Sequence, residues 1–292
     1  MNSDNSLKPR KKVGLALSGG FIRTVASIGV IEVLEENGIV IDLVSGCSAG
    51  AAIAGCYAAG SLKELKDYMT GAPRKEWWDV IFEPTLPRQG LLKGERNRQF
   101  FEKFVGQKTF SETEKKLVMT VTDLDNIKEL IIKEGQISKA IQACTAVPGL
   151  FVPLKWQGKT VIDGGNFNMI PSKVLYESGA DYVIAVYLSR APNPLTRLLS
   201  NFKRLMINDK YIEKHPRVGT DYNIFELSWR AIRLSATQIK NFYHSSYPYD
   251  VLVTPCLTNV RRWQVGKLDY IISQGRKAAL EALPQIKRDL GL

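Results

Sequence analysis

The chain has 292 residues, 45% apolar and 24% charged, values that exclude intrinsic disorder and leave room for one large α/β domain. Forty Lys and Arg against 29 Asp and Glu give a net charge of +11, which favours anionic partners without choosing among them. Cys47, Cys56, Cys144 and Cys256 lack CxxC spacing and lie among apolar residues, so they read as reduced core residues rather than a disulfide framework or metal site.

The N-terminal stretch is polar and then basic, with no apolar leader, and the longest apolar run (49–60) is too short to span a bilayer. A cytoplasmic location is expected. The first predicted element is a strand, VGLAL at 13–17, ending in Ser18, Gly19 and Gly20. A helix follows, with Val25, Ile28, Ile31 and Leu34 on one face and Gly38 as its stop. IVIDLVSG at 39–46 reads as a buried strand, and a small-residue helix then runs from Ser48 to Ala59, closed by Gly60. This βαβα opening implies a parallel sheet wrapped by helices.

Residues 71–98 carry Pro73, Pro84, Pro87, Gly90 and the pair Trp77–Trp78, and are expected to form an irregular surface excursion. Paired strands are predicted at 116–124 and 129–135, with Asp125 and Asn126 at the turn. A helix at 138–150 is predicted to stop at Pro148. The strand at 159–165 ends in a glycine turn, Pro171 opens a helix, and 181–188 returns as a buried strand. Residues 195–223 are basic with scattered apolar side chains. A helix over 224–243, a strand at 249–255 and a helix at 267–290 complete the chain. With no repeat and no low-complexity tract, one domain is expected over 1–292: a motif-bearing region at 12–190, then a basic variable segment and closing elements at 191–292.

GCSAG at 46–50 fits G-x-S-x-G, which places Ser48 on a tight strand-to-helix turn flanked by Gly46 and Gly50 where the backbone is crowded. The serine then stands at the carboxyl edge of the sheet, near helix amides that help hold negative charge. Its base is the open question. The chain has two histidines, His215 and His244, and the order Ser48, Asp163, His244 matches an α/β-hydrolase triad. Asp163 ends a strand before Gly164 and Gly165, and an aspartate with a raised pKa at that edge could act as base directly; a plain turn aspartate is the alternative. The glycine-rich turn SGGFIR (18–23) offers free amides to a phosphate or an oxyanion, but it does not fit G-x-G-x-x-G, so a dinucleotide site is a poor reading.

Together these motifs resemble the patatin-like phospholipase family. Gly19, Gly20 and Arg23 match its oxyanion turn; Gly46, Ser48 and Gly50 match its nucleophile elbow; Asp163, Gly164 and Gly165 match its D-G-G motif. AVPGLFVP (146–153), Asn168, Pro171 and DVLVTP (250–255) extend a likeness that runs from about residue 12 to about residue 285. The resemblance implies a three-layer α/β/α fold with a mostly parallel sheet. It also implies a serine lipid acyl hydrolase in which Ser48 and Asp163 act as a dyad through an acyl-enzyme, with the Gly19, Gly20 and Phe21 amides on the oxyanion and no metal or cofactor. Arg23 would add positive potential or serve structure.

Phe21 departs from the pattern where the family has a third glycine, and Thr24 replaces a last one. A positive φ at Phe21 would be strained, and its ring would crowd Ser48. Trp77, Trp78 and the basic stretch 195–217 would suit peripheral contact with an anionic membrane surface. Two alternatives stay open: a catalytically weak lipid-binding or regulatory protein on this scaffold, and an esterase using His244. Nucleic-acid binding rests on charge alone and ranks behind both.

Overall fold

In the computed structural model, residues 9–86, 89–188, 248–258, 260–261 and 264–292 are described. His215, His244, the basic stretch 195–217 and the helix expected over 224–243 lie outside them.

The first strand, β1 (Val13–Leu17), leads through a short 3-10 turn (Phe21–Val25) into α1 (Ala26–Glu36). Next come β2 (Ile41–Cys47) and α2 (Ala49–Ala58). Parallel β1 and β2 are joined by β4 (Lys116–Asp123) on one side, and by β9 (Tyr182–Val186) and β10 (Val251–Val253) on the other. The parallel order is therefore β10-β9-β1-β2-β4. Beyond β4 the sheet turns antiparallel. The hairpin strand β5 (Lys128–Ile132) and β8 (Lys159–Asp163) both run against β4, and β7 (Leu154–Trp156) runs against β8. Five parallel strands with an antiparallel margin match the mostly parallel sheet expected.

Side chains alternate across these strands, so each face gathers its own core. Leu15, Leu17, Ile184 and Val186 pack with α1, α2, α6 (Ile137–Cys144) and the long C-terminal helix α8 (Leu268–Leu290). Ala16, Leu43, Val183 and Ala185 pack on the opposite face with Leu175 of α7 (Lys173–Glu177). Helices thus cover both faces, the three-layer α/β/α arrangement. In the first of these layers α1 and α8 touch backbone to backbone: a Cβ on Gly275 would lie 1.8 Å from the Ala26 carbonyl oxygen.

Two expectations need correction. Residues 71–98 are not irregular: α3 (Leu62–Gly71) is followed by α4 (Arg74–Ile81), β3 (Gly90–Leu92), paired with β6 (Gly149–Phe151), and α5 (Glu95–Val105). Pro73 caps α4 rather than breaking it, because a helix start needs no N–H from proline. Helix α6 ends at Cys144, short of Pro148. Beyond it the Ala146 carbonyl accepts a bond from the Asp163 amide at 3.0 Å, so this stretch of backbone serves β8 instead of the helix.

Candidate active site

Strand β4 brings the two functional side chains together. Parallel β2 runs up one edge of β4 and ends with Cys47 opposite Thr120. Antiparallel β8 comes down along β4 and ends with Asp163 opposite Val121. The carboxyl ends of β2 and β8 therefore meet head-on. Ser48 and Asp163, 115 residues apart in sequence, face each other there, and the Ser48 hydroxyl donates to Asp163 Oδ2 at 2.6 Å.

Ser48 stands between β2 and α2 with φ 54 and ψ −135, a left-handed backbone that costs a non-glycine residue about 1–3 kcal/mol. The surrounding backbone enforces it. A Cβ on Gly50 would lie 2.3 Å from the Leu17 carbonyl oxygen, and one on Gly46 would lie 2.4 Å from the Ala51 Cα, so neither neighbour could carry a side chain.

Asp163 is held on every side. Its amide donates to Ala146, and its carbonyl accepts from the Thr122 hydroxyl (3.0 Å) and the Asn166 amide (3.1 Å). Its Oδ1 accepts the Gly165 amide at 2.7 Å, leaving Oδ2 for Ser48. Burial raises the Asp163 pKa to about 6, against the opposing pull of the bonds from Ser48 and Gly165. Two buried thiols sit close by. Burial first, and the Asp163 charge second, push both Cys47 and Cys144 upward, so neither competes with Ser48 as a nucleophile. Cys47, Cys56 and Cys144 are buried and free, as expected; Cys256 is free but exposed.

The glycine-rich turn after β1 lies directly beside the elbow, since Leu17 pairs with Gly46. A Cβ on Gly19 would stand 2.6 Å from the Ser48 Cβ, so only glycine fits there. Phe21 has φ 53, in the left-handed region that favours glycine, and its side chain lines the cavity in front of Ser48. Arg23 is buried and donates through Nε and Nη2 to the Val260 carbonyl (3.1 and 2.8 Å), tying this turn to the chain that leads into α8.

That cavity has a volume of about 140 Å³ and opens to solvent. Its walls are Phe21 and Val25, α2 residues Ala52 and Ile53, Trp77 and Ile81 of α4, Phe100 and Phe101 of α5, and Phe151. Polar groups are few: Ser48 itself, Thr24, and the pair Asn97 and Thr145, in which the Asn97 side chain donates to Thr145 Oγ1 at 3.0 Å. Long apolar walls leading to a single serine suit an acyl chain. Sequence reasoning found none of the α5 residues, although aromatics at 100, 101 and 104 form a helical stripe. It also missed Thr122 and Asn166, for which the D-G-G-N run was the available signal. Among the described residues, no group of three or more His, Cys, Asp or Glu side chains is placed to hold a metal ion.

A strained serine at a strand-to-helix elbow, bonded to a buried carboxylate, defines a serine hydrolase of the Ser–Asp type. The chain belongs to the patatin-like phospholipase family, whose model matches residues 15–176, over half its length. It is 28% identical over 222 residues to the lysophospholipase NTE1 of the yeast Debaryomyces hansenii, a match covering 71% of this chain and 14% of the yeast protein. An uncharacterized NTE family protein of Mycobacterium tuberculosis is 30% identical over 178 residues, covering 61% of this chain and 49% of that one. The chain thus spans a small part of the yeast relatives and about half of the mycobacterial one. Among solved structures, VipD from Legionella pneumophila superposes with a TM-score of 0.50 at 15% identity, covering 95% of this chain and 67% of its own; this likeness supports the fold.

Proposed function

We propose that the protein hydrolyses fatty-acyl esters of phospholipids or related lipids, with Ser48 as nucleophile and Asp163 as base. The observation that carries this reading is the 2.6 Å bond from the Ser48 hydroxyl to Asp163 at the mouth of an apolar cavity. With its pKa near 6, Asp163 is mostly ionised at neutral pH yet close enough to neutrality to take up a proton. In the proposed cycle the Ser48 proton passes to Asp163 as Oγ bonds to the ester carbonyl carbon. The tetrahedral oxyanion faces the amides of Gly19, Gly20 and Phe21. It collapses by breaking the ester C–O bond, and Asp163 returns its proton to the departing alkoxide. A water then loses a proton to Asp163 and attacks the acyl-enzyme. The fatty acid leaves and the proton returns to Ser48.

Gly46, Gly50, Gly164 and Gly165 support this arrangement by close backbone approach or by bonding Asp163, and Arg23 supports it by anchoring the turn. Phe21 keeps the backbone geometry of a glycine, which favours a working oxyanion turn over a purely lipid-binding role. A lipid substrate also implies peripheral contact with a membrane, and the +11 charge suits an anionic one. Among the described residues no helix is long and apolar enough to cross a membrane.

The test is reaction with a fluorophosphonate probe, followed by acyl-ester turnover, on the native protein and on Ser48→Ala and Asp163→Asn. Labelling and turnover are expected in the native protein alone; turnover that survives Ser48→Ala would refute the assignment.

A further inference from the structure

Helix α4 and its C-cap carry two adjacent apolar pairs, one turned inward and one outward. Trp77 and Ile81, one turn apart, point into the cavity beside Ser48, and Trp77 is only 7% exposed. Trp78 and Phe82, also one turn apart, are 50% and 60% exposed. The chain then folds back as a hairpin: the Lys93 amide bonds the Glu83 carbonyl, Pro84 bridges Leu92, and the Thr85 amide bonds the Leu91 carbonyl. Leu92 faces inward, while Leu86 and Leu91 are 76% and 55% exposed. Soluble surfaces seldom gather so many large apolar side chains in one place.

We infer that Trp78, Phe82, Leu86 and Leu91 are the surface by which this protein docks on an anionic phospholipid bilayer. The inference rests on the acyl hydrolase reading, because that reading places an acyl chain against the inner face of the same helix. Lipid in the cavity accounts for the buried pair Trp77 and Ile81, and lipid at the surface for the exposed pair Trp78 and Phe82. The polar surroundings agree. Lys75, Lys93 and Arg96 are exposed around the patch. Arg96 donates to the Phe82 carbonyl at 3.3 Å, at the end of α4, and to the Asp79 carbonyl at 3.4 Å. Glu76, Asp79 and Glu83 keep their charge beside these cations, Glu76 and Glu83 accepting from the Tyr68 hydroxyl and the Arg96 amide, so the pull toward an anionic surface is that of the chain's net +11. Aromatic side chains and Lys or Arg side by side suit the headgroup level, the rings in the acyl boundary and the cations on phosphate. Docking there sets the mouth of the cavity against the lipid that fills it.

The test is co-sedimentation with vesicles of phosphatidylcholine containing about a third phosphatidylglycerol, alongside turnover of a water-soluble nitrophenyl butyrate. The triple variant Trp78→Ser, Phe82→Ser, Leu91→Ser is expected to lose about tenfold or more in vesicle binding and in turnover of vesicle-held lipid, with butyrate turnover and melting temperature nearly unchanged. Trp78→Phe is expected to keep binding but lose most of the fluorescence quenching by brominated lipid. Wild-type protein that fails to bind, a triple variant that binds as well as wild type, or variants that alter self-association and not vesicle binding would each overturn the proposal. Absence of butyrate turnover in the wild type would instead strike the hydrolase reading, and the vesicle measurement would still decide the docking.

Discussion

Two neighbouring turns make the site, and they bear strain differently. The elbow holds Ser48 at φ 54 and the proposed oxyanion turn holds Phe21 at φ 53, each a left-handed residue with a side chain following a parallel strand. At the elbow the conformation is locked by backbone against backbone, with Gly46 and Gly50 sitting where no Cβ fits. At Phe21 a glycine would do the same job without strain, and what the phenylalanine adds is a ring on the cavity wall. On the proposed mechanism, reactivity rests on main-chain geometry that tolerates no change, and selectivity on a side chain that can be exchanged.

The comparison breaks hardest at the dyad. Ser48→Ala and Asp163→Asn should each lower turnover by about a thousandfold or more, measured on a soluble ester. They should part on stability. Asp163 has its pKa raised to about 6 from 3.8, so its contribution to folding is fullest below the ordinary value and is lost as pH rises through about 6. Asp163→Asn removes that buried charge, and its melting temperature at pH 8 should exceed the wild type's; a lower one would count against the burial argument.

At the elbow, Gly50→Ala should destabilise by about 3 kcal/mol or more in denaturant titration, because its Cβ meets a carbonyl that cannot move. The pH profile sharpens the contrast. The base form of Asp163 fills as pH rises, so kcat/KM should climb to a plateau with an apparent pKa near 6, against the direction of stability. A flat profile from pH 4 to pH 8 would dismiss Asp163 as the base.

The oxyanion turn should respond more gently. Phe21→Gly relieves about 1 kcal/mol of strain while freeing the unfolded chain, so stability should stay within about 1 kcal/mol. Preference should move toward bulkier acyl groups, read as a ratio of kcat/KM values. The smallest effect is expected from His244→Ala: turnover within about twofold of wild type, against a loss of several decades if that histidine completed a triad.

The site's chemistry was legible because its determinants are local. Gly46, Ser48 and Gly50 answer to crowding within one turn, and Asp163, Gly164 and Gly165 to a strand end and its hydrogen bond; short motifs carry such constraints whole. The sheet could be read for the same reason, from apolar runs bounded by glycine. Residues 71–98 were not legible. Their prolines mark the edges of elements as well as their absence, and Pro73 caps α4 where it was expected to disrupt. The cavity wall was hidden because it is assembled from distant stretches: nothing near Trp77 says that its ring meets Phe100, and nothing separates it from Trp78 until α4 turns one inward and the other out. Thr122 was missed because it holds a main-chain carbonyl, which leaves no mark on side-chain pattern, and Asn166 because the D-G-G-N run that carries it was read only as far as its glycines.

The head-on meeting of β2 and β8 along β4 makes the separation of nucleophile and base a matter of counting. Cys47 answers to Thr120 and Asp163 to Val121, so the gap between the partners is one rung on a shared rail. The length of chain between them does not enter. Helices α3, α4 and α5 could lengthen, shorten or be replaced and the two reacting groups would still arrive at the same rung, whereas a slip of one residue in the pairing of β4 with β8 would turn Asp163 to the wrong side of the sheet. The cavity walls can thus diverge without re-solving the alignment of serine and carboxylate.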